Sequence, residues 1–307
     1  AYLLGFDQFI LREEKAAFAA GPAQNLNVRE TERRYIIEGD SFRYVWNRLT
    51  GTFESLTDDQ ISFMEKPMEW NIWRAPTDND RNIRREWERA GYHRSSPRVY
   101  ESTVEQTENG VVITAKLSLA AIYLQPCLTL RAVWTILPDG RIRADIHGER
   151  GEEFPFLPRF GLRMFLPRAF EAVEYFGYGP FESYSDKHRA SLLGKYETTV
   201  TEQHEDYLRP QENSSHFGCS HLAVANPDGG CLEAVGDAFS FNTSRYTQEE
   251  LAGKAHNYEL EPCGSTVLCL DYKLSGIGSN SCGPKLLPQY RLEEKEFDFT
   301  IELRLSK

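Results

Sequence analysis

From Phe297 onward, apolar and polar residues alternate without interruption: Phe297, Phe299, Ile301, Leu303 and Leu305 fall on one side, Asp298, Thr300, Glu302 and Arg304 on the other. A period of two belongs to a pleated strand rather than a helix, and a strand with one apolar face needs a second layer to bury it against. The same pattern recurs upstream. Val111 to Leu117 follows the turn pair Asn109-Gly110, and Thr129 to Leu137 runs into Pro138-Asp139-Gly140 before Arg141 to Ile146 resumes, which reads as antiparallel hairpins. Helical signals are few and short. Thr247-Gln248-Glu249-Glu250 is a capping box leading into Leu251 and Ala255, and Ile83 to Ala90 is a second helix that Gly91 is placed to end. Many short strands with turn residues between them, and no repeat of fixed period, predict an all-β protein. The expected architecture is one large antiparallel β-sandwich with few short helices, not a parallel α/β fold.

The first residues read differently. Ala1 to Glu14 has the look of a strand, and Lys15 to Asn27 is rich in Ala, Gly, Pro and Asn, as a linker would be. The expected division is residues 1–27 as the tail of a preceding domain plus linker, and 28–307 as the main domain. The opening has neither an initiator Met nor the regions of a signal peptide, and so reads as a trimmed start. With 35 basic and 46 acidic residues the chain carries a formal charge of -11, which disfavours nucleic acid and anionic membrane surfaces as partners. No apolar run approaches a membrane span. Six cysteines spread through 307 residues make no disulfide framework and read as reduced thiols of a cytoplasmic protein.

Three segments carry most of the polar and aromatic chemistry. In Trp73-Arg74-Ala75-Pro76-Thr77-Asp78-Asn79-Asp80, acidic and amide side chains crowd behind a proline, which suits a metal, sugar hydroxyls or a turn; spacing alone favours the turn. Tyr175 to Asp186 is dense in aromatics and glycine, fit either for stacking on a sugar or for a core strand ending in a turn. Gly276 to Pro284 is a glycine-rich loop without the Gly-Lys-Ser/Thr ending of a phosphate-binding loop. His216 and Cys219 have no second pair at metal-site spacing, so no metal site is expected, and no nucleophile elbow is present.

Taken in order, these segments resemble a known family. Arg74 to Asp80 is similar to the "RAP-x-DND" segment of bacterial β-galactosidases of glycoside hydrolase family 2, and Trp87 and Ala90-Gly91 sit where that family has a Trp and an Ala-Gly. Gly177 to Asp186 resembles its "G-x-GP-x-E-x-Y-x-D", Tyr207 to Asn213 its "Y-x-x-P-x-EN", Phe241 to Thr247 its "FN-x-SRY-[ST]", and Gly276 to Gly283 its "G-x-G-x-x-S-[WC]-G" loop. The resemblance covers nearly the whole chain. It implies the C-terminal domain, or small chain, of such an enzyme: a supersandwich of galactose mutarotase-like fold, preceded by the end of an immunoglobulin-like domain.

The resemblance also implies what is missing. The family's acid/base Glu follows an Asn in a catalytic barrel, and this chain contains no Asn-Glu dipeptide. The nucleophile belongs to the same barrel, so no catalytic residue is expected in this chain, which alone should hydrolyse nothing. The expected contribution is the loop Ser279, Asn280, Ser281 and Cys282, lying nearest the β-galactoside in the complete enzyme, with Cys282 where some members place a Trp. Arg74, Asp78, Asn79, Asp80, Tyr178, Glu182 and Tyr184 are candidate sugar or interface contacts, the first motif being the better fit to structural support. No cofactor is expected here; for the parent enzyme the resemblance leaves a requirement for Mg and Na ions open. The expected partner is the remainder of a bacterial, cytoplasmic β-galactosidase, with a homo-oligomer as a further possibility. Two alternatives stay open: a stand-alone carbohydrate-binding module using Tyr175, Tyr178 and Tyr184, and an aldose mutarotase-like protein using His188 or His216.

Overall fold

A computed structural model describes residues 5–11 and 15–307. Five strands, β1 (Asn27–Glu30), β2 (Arg34–Glu38), β3 (Phe42–Asn47), β4 (Thr52–Asp58) and β5 (Ile61–Ser62), form an antiparallel meander in chain order. Twelve more make the large sheet. They are β6 (Lys66–Asn71), β7 (Ser96–Thr107), β8 (Gly110–Ala120), β9 (Leu128–Ile136), β10 (Ile142–Arg150) and β11 (Arg159–Pro167), followed by β12 (Ala172–Gly179), β13 (Leu192–Thr199), β14 (Ser215–Ala225), β15 (Cys231–Ser244), β16 (Ser265–Leu274) and β17 (Glu296–Ser306). Only two α-helices interrupt the described residues, α1 (Ile83–Arg89) and α2 (Gln248–Gly253). The expected all-β class and both helix positions are found, but several strands are 9 to 14 residues long rather than short. Neither helix is long and apolar enough to cross a membrane.

β15 folds the large sheet into two layers. Its first half, Cys231 to Gly236, pairs with β17, and its second half, Ser240 to Ser244, pairs with β16. The switch falls at Gly236 to Phe239, where Ala238 takes a positive φ of 51° and the ladder to β14 slips register. A strand that changes partners through such an irregularity is how a twisted sheet turns a corner into a sandwich. One branch continues β17, β10, β9, β8, β7; the other runs β16, β11, β6. Between them lies one apolar cluster that also takes in Tyr35, Trp46 and Phe53 of the five-stranded sheet, with Phe53 edge-on to Trp134.

The alternation read at the C-terminus is realised in full: Phe297, Phe299, Ile301, Leu303 and Leu305 of β17 are all buried, between β10 and β15. Thr247 caps α2, its side chain accepting the Glu250 N–H at 3.1 Å. Gly91 ends α1 at φ 77°, and a Cβ there would lie 2.5 Å from that of Ala121.

The strand expected over Ala1 to Glu14 is not found. Residues 5–11 are irregular, and 1–4 and 12–14 lie outside the described residues. A strand needs a continuous ladder, and what residues 5–11 make instead is a side-chain mimic of one: the Gln8 amide bonds both the N–H and the carbonyl of Leu193 at 2.7 Å on the edge strand β13.

Candidate functional site: a clamped loop over a buried ionic network

β16 enters the glycine-rich loop at Ser275, and side chains from elsewhere in the chain hold several of the backbone groups that follow. Arg74, fully buried, donates to the carbonyls of Ser275 and Gly276, the latter at 3.0 Å, while pairing with Asp80 at 2.8 Å. The Asp186 carboxylate accepts the N–H of Ile277 at 2.9 Å and of Gly278 at 2.7 Å. Asn79 bridges the loop, its amide donating to the Gly278 carbonyl at 2.7 Å and its oxygen accepting the Ser281 N–H at 3.2 Å. Arg81 adds a bond to the Ser281 carbonyl at 3.1 Å, and Asn82 one to the Asn280 side chain at 2.9 Å. The glycines are dictated by these contacts. A Cβ on Gly276 would lie 2.6 Å from Asp186 Cγ, and Gly278 has φ +67°. Ser279 and Cys282 stand exposed at the tip, with Asn280 and Ser281 half-buried.

Beneath the loop lies an ionic network sealed from water. Arg159 of β11, with no exposed surface, donates to Glu212 at 2.9 Å, to Asn242 at 2.7 Å and to both oxygens of Asp271. Glu212 also accepts the Ala75 N–H at 3.1 Å, tying the network to the Arg74 segment. Burial pushes the Asp271 carboxyl up to about 6 against the pull of Arg159. Burial likewise raises Glu212, opposed by Arg159 and Arg74. Three carboxyl groups here (Asp80, Glu212, Asp271) share two arginines, in keeping with the raised Glu212 and Asp271.

The structure brings Arg74, Asn79 and Asp80 to the loop, where Arg74 and Asn79 bond its backbone and Asp80 pairs with Arg74. Asp78 points outward, 3.6 Å from Arg209, while its own N–H donates to Gln211 at 2.9 Å. Glu182 and Tyr184 are used internally: the Glu182 carboxylate accepts from Tyr184, Tyr207 and Lys187 and from the Ser214 N–H at 3.2 Å. They border a cleft of about 420 Å³ with Asn79, Asp186, Tyr207 and Gly278. Tyr178 lies apart, against His188 and Phe217 and in a different cleft with Phe6 and Ile10.

Of the three tyrosines considered for sugar stacking, Tyr175 and Tyr184 are 1% and 2% exposed and offer no open face, while Tyr178 is only partly buried. An aromatic face packed in a core has no surface left for a ligand. His216 is equally sealed, at 2% exposed: it contacts the Tyr178 carbonyl through Nδ1 at 3.3 Å and Gln203 through Nε2 at 3.1 Å, and burial lowers it to about 4. His188 contacts the Tyr184 carbonyl at 3.0 Å. All six cysteines are free, and among the described residues no cluster of acidic, His and Cys side chains is arranged to hold a metal.

Sequence reasoning missed Arg159 and Asp271. Each left only a faint signal, an Arg next to the apolar stretch from Phe160 and an Asp inside Val267 to Leu274; alternation puts both on the face opposite the main core residues, with Phe165 and with Val267 and Cys269. A charge on a buried face demands a partner.

Two sheet layers joined by a strand that changes partners, with a polar cluster buried at one end, define a large antiparallel sandwich of the galactose mutarotase-like class. The galactose 1-epimerase of Lactobacillus acidophilus has this fold, with a TM-score of 0.50 at 8% identity over 92% of this chain and 99% of that one. Within that class the chain belongs to the β-galactosidase small chain family, whose model matches residues 38–303. It is 43% identical to the β-galactosidase of Actinobacillus pleuropneumoniae over 99% of its own length, and 34% identical to that of Staphylococcus xylosus over 98%. It spans only 30% and 31% of those relatives.

Proposed function

We propose that these 307 residues are the non-catalytic C-terminal part of a family 2 β-galactosidase, which hydrolyses terminal β-D-galactosides such as lactose with retention. The observation that carries this reading is the alignment itself: nearly the whole chain matches β-galactosidases, yet only the small-chain third of them. The remaining two thirds supply the catalytic barrel, and this chain packs on it and lends Ser279 to Cys282 to the mouth of the active site. Mg and Na ions, where the enzyme needs them, bind outside this segment. Free cysteines suit the bacterial cytoplasm as its location.

The chemistry of the acidic side chains supports a non-catalytic role. Retaining hydrolysis needs one carboxyl group free to attack and another free to carry a proton. Around the 420 Å³ cleft, Glu182 is saturated with donors, Asp186 is committed to two backbone N–H groups, and Glu212 is locked to Arg159. None of these three is free to exchange a proton with a sugar, and the remaining carboxylate of the cleft, Asp78 beside Arg209, has no second free carboxyl group there to work with. The test is calorimetric titration of the isolated chain with galactose and lactose, alongside a chromogenic β-galactoside assay. Neither heat nor colour is expected; millimolar sugar affinity would favour the stand-alone binding module, and turnover would place catalysis within these residues.

A further inference from the structure

We propose that Asn79 and Asp186 are positioning residues for the galactosidase reaction, holding the loop 275–283 in one conformation so that substrate meets a wall already in place. The inference rests on the reading that this loop borders the sugar. It goes beyond that reading in naming the residues that set the loop's shape.

The contacts divide the task. Asp186 offers one oxygen each to two consecutive backbone N–H groups, Ile277 at 2.9 Å and Gly278 at 2.7 Å, fixing the entry to the loop. Asn79 reaches the carbonyl of Gly278 at 2.7 Å and the N–H of Ser281 at 3.2 Å, tying the entry to the tip. These partners come from far along the chain, and two of the loop's glycines exist to accommodate them: Gly276 because a Cβ would collide with Asp186, Gly278 because of its positive φ. A loop whose N–H and carbonyl groups are satisfied by water opens freely. One whose groups are satisfied by half-buried side chains mounted on a rigid sandwich does not. Preorganisation of this kind removes the ordering cost from substrate binding, so its loss appears first in affinity.

Hydrogen exchange reads the clamp directly on this chain. In Asn79→Ala, and separately in Asp186→Asn, amide exchange at residues 277–283 should accelerate about tenfold, the factor that roughly 1.4 kcal/mol of lost hydrogen bonding gives. Exchange in the strand 265–274 should stay unchanged. Thr247→Ala, which removes a helix cap away from the loop, serves as control and should leave the loop amides as they are. In the complete enzyme that carries this segment, the same two substitutions should raise KM for a β-galactoside several-fold with a smaller change in kcat. Unaltered loop exchange in a folded variant overturns the proposal, as does acceleration spread evenly over the chain, which is the mark of a merely structural role. Faster loop exchange with KM unmoved also overturns it, and shows specifically that the loop is clamped but does not border the sugar.

Discussion

Arg159 is the residue on which the buried polar core turns. It is the guanidinium between Asp271 and Glu212, so Arg159→Ala strands two carboxylates in a sealed site and should lower unfolding free energy by ~3–5 kcal/mol, as denaturant titration would show. Replacing Arg159, Asp271 and Glu212 together by Met, Asn and Gln should recover most of that loss, because no charge is then left unpaired. His216 makes the chain sensitive to mild acid. Its folded-state value of about 4 lies below its ordinary 6.5, so the unfolded chain takes up the proton more readily, and stability present above pH 6.5 is lost as pH falls towards 4. Asp271, raised to about 6, works the other way: the folded chain gains its proton first as pH falls through 6, which offsets part of the loss. Comparing wild type with His216→Gln isolates the histidine, and the substitution should flatten the decline between pH 6.5 and 4.5 in thermal melts. The quoted motifs were legible as residues, but not their purpose. Arg74 and Asn79 read better as supports than as ligands, but what they support is not legible until the loop, two hundred positions away, lies beside them.

Among elements, those with local causes were the easiest to anticipate. β17 shows its alternation, α2 its cap and α1 its terminal glycine, because each signal lies within a few residues of its consequence. The corner in β15 was not legible: it depends on β16 and β17 claiming different halves of one strand, a competition between segments distant in sequence. The strand expected near the N-terminus shows the converse: residues 5–11 lie at the β13 edge, but the Gln8 side chain takes up the Leu193 backbone groups and no backbone ladder forms. Two substitutions test this level. Thr247→Ala should cost ~1 kcal/mol through the lost Glu250 N–H acceptor. Gly161→Ala should cost ~1–3 kcal/mol or more, because its Cβ would lie 2.1 Å from the Leu270 carbonyl oxygen and pry β11 from β16. Chemical denaturation of each variant checks both figures.

For the whole molecule, one large apolar core fills the sandwich, yet large apolar side chains stay in solvent, among them Tyr123, Leu208 and Tyr258, with Asn257, next to Tyr258, donating its N–H to the Leu208 carbonyl. Surface of this kind favours association, so the isolated chain should elute in size-exclusion chromatography above its monomer mass as concentration rises; a monomer at every concentration would argue against a large uncovered interface. On the proposed function, this chain completes a β-galactosidase without performing its chemistry. The direct test is to assay a chromogenic β-galactoside with this chain alone, with the remaining N-terminal part of the parent alone, and with the two mixed. No turnover is expected from this chain and activity is expected on mixing; turnover by this chain alone would place the catalytic carboxylates among these residues.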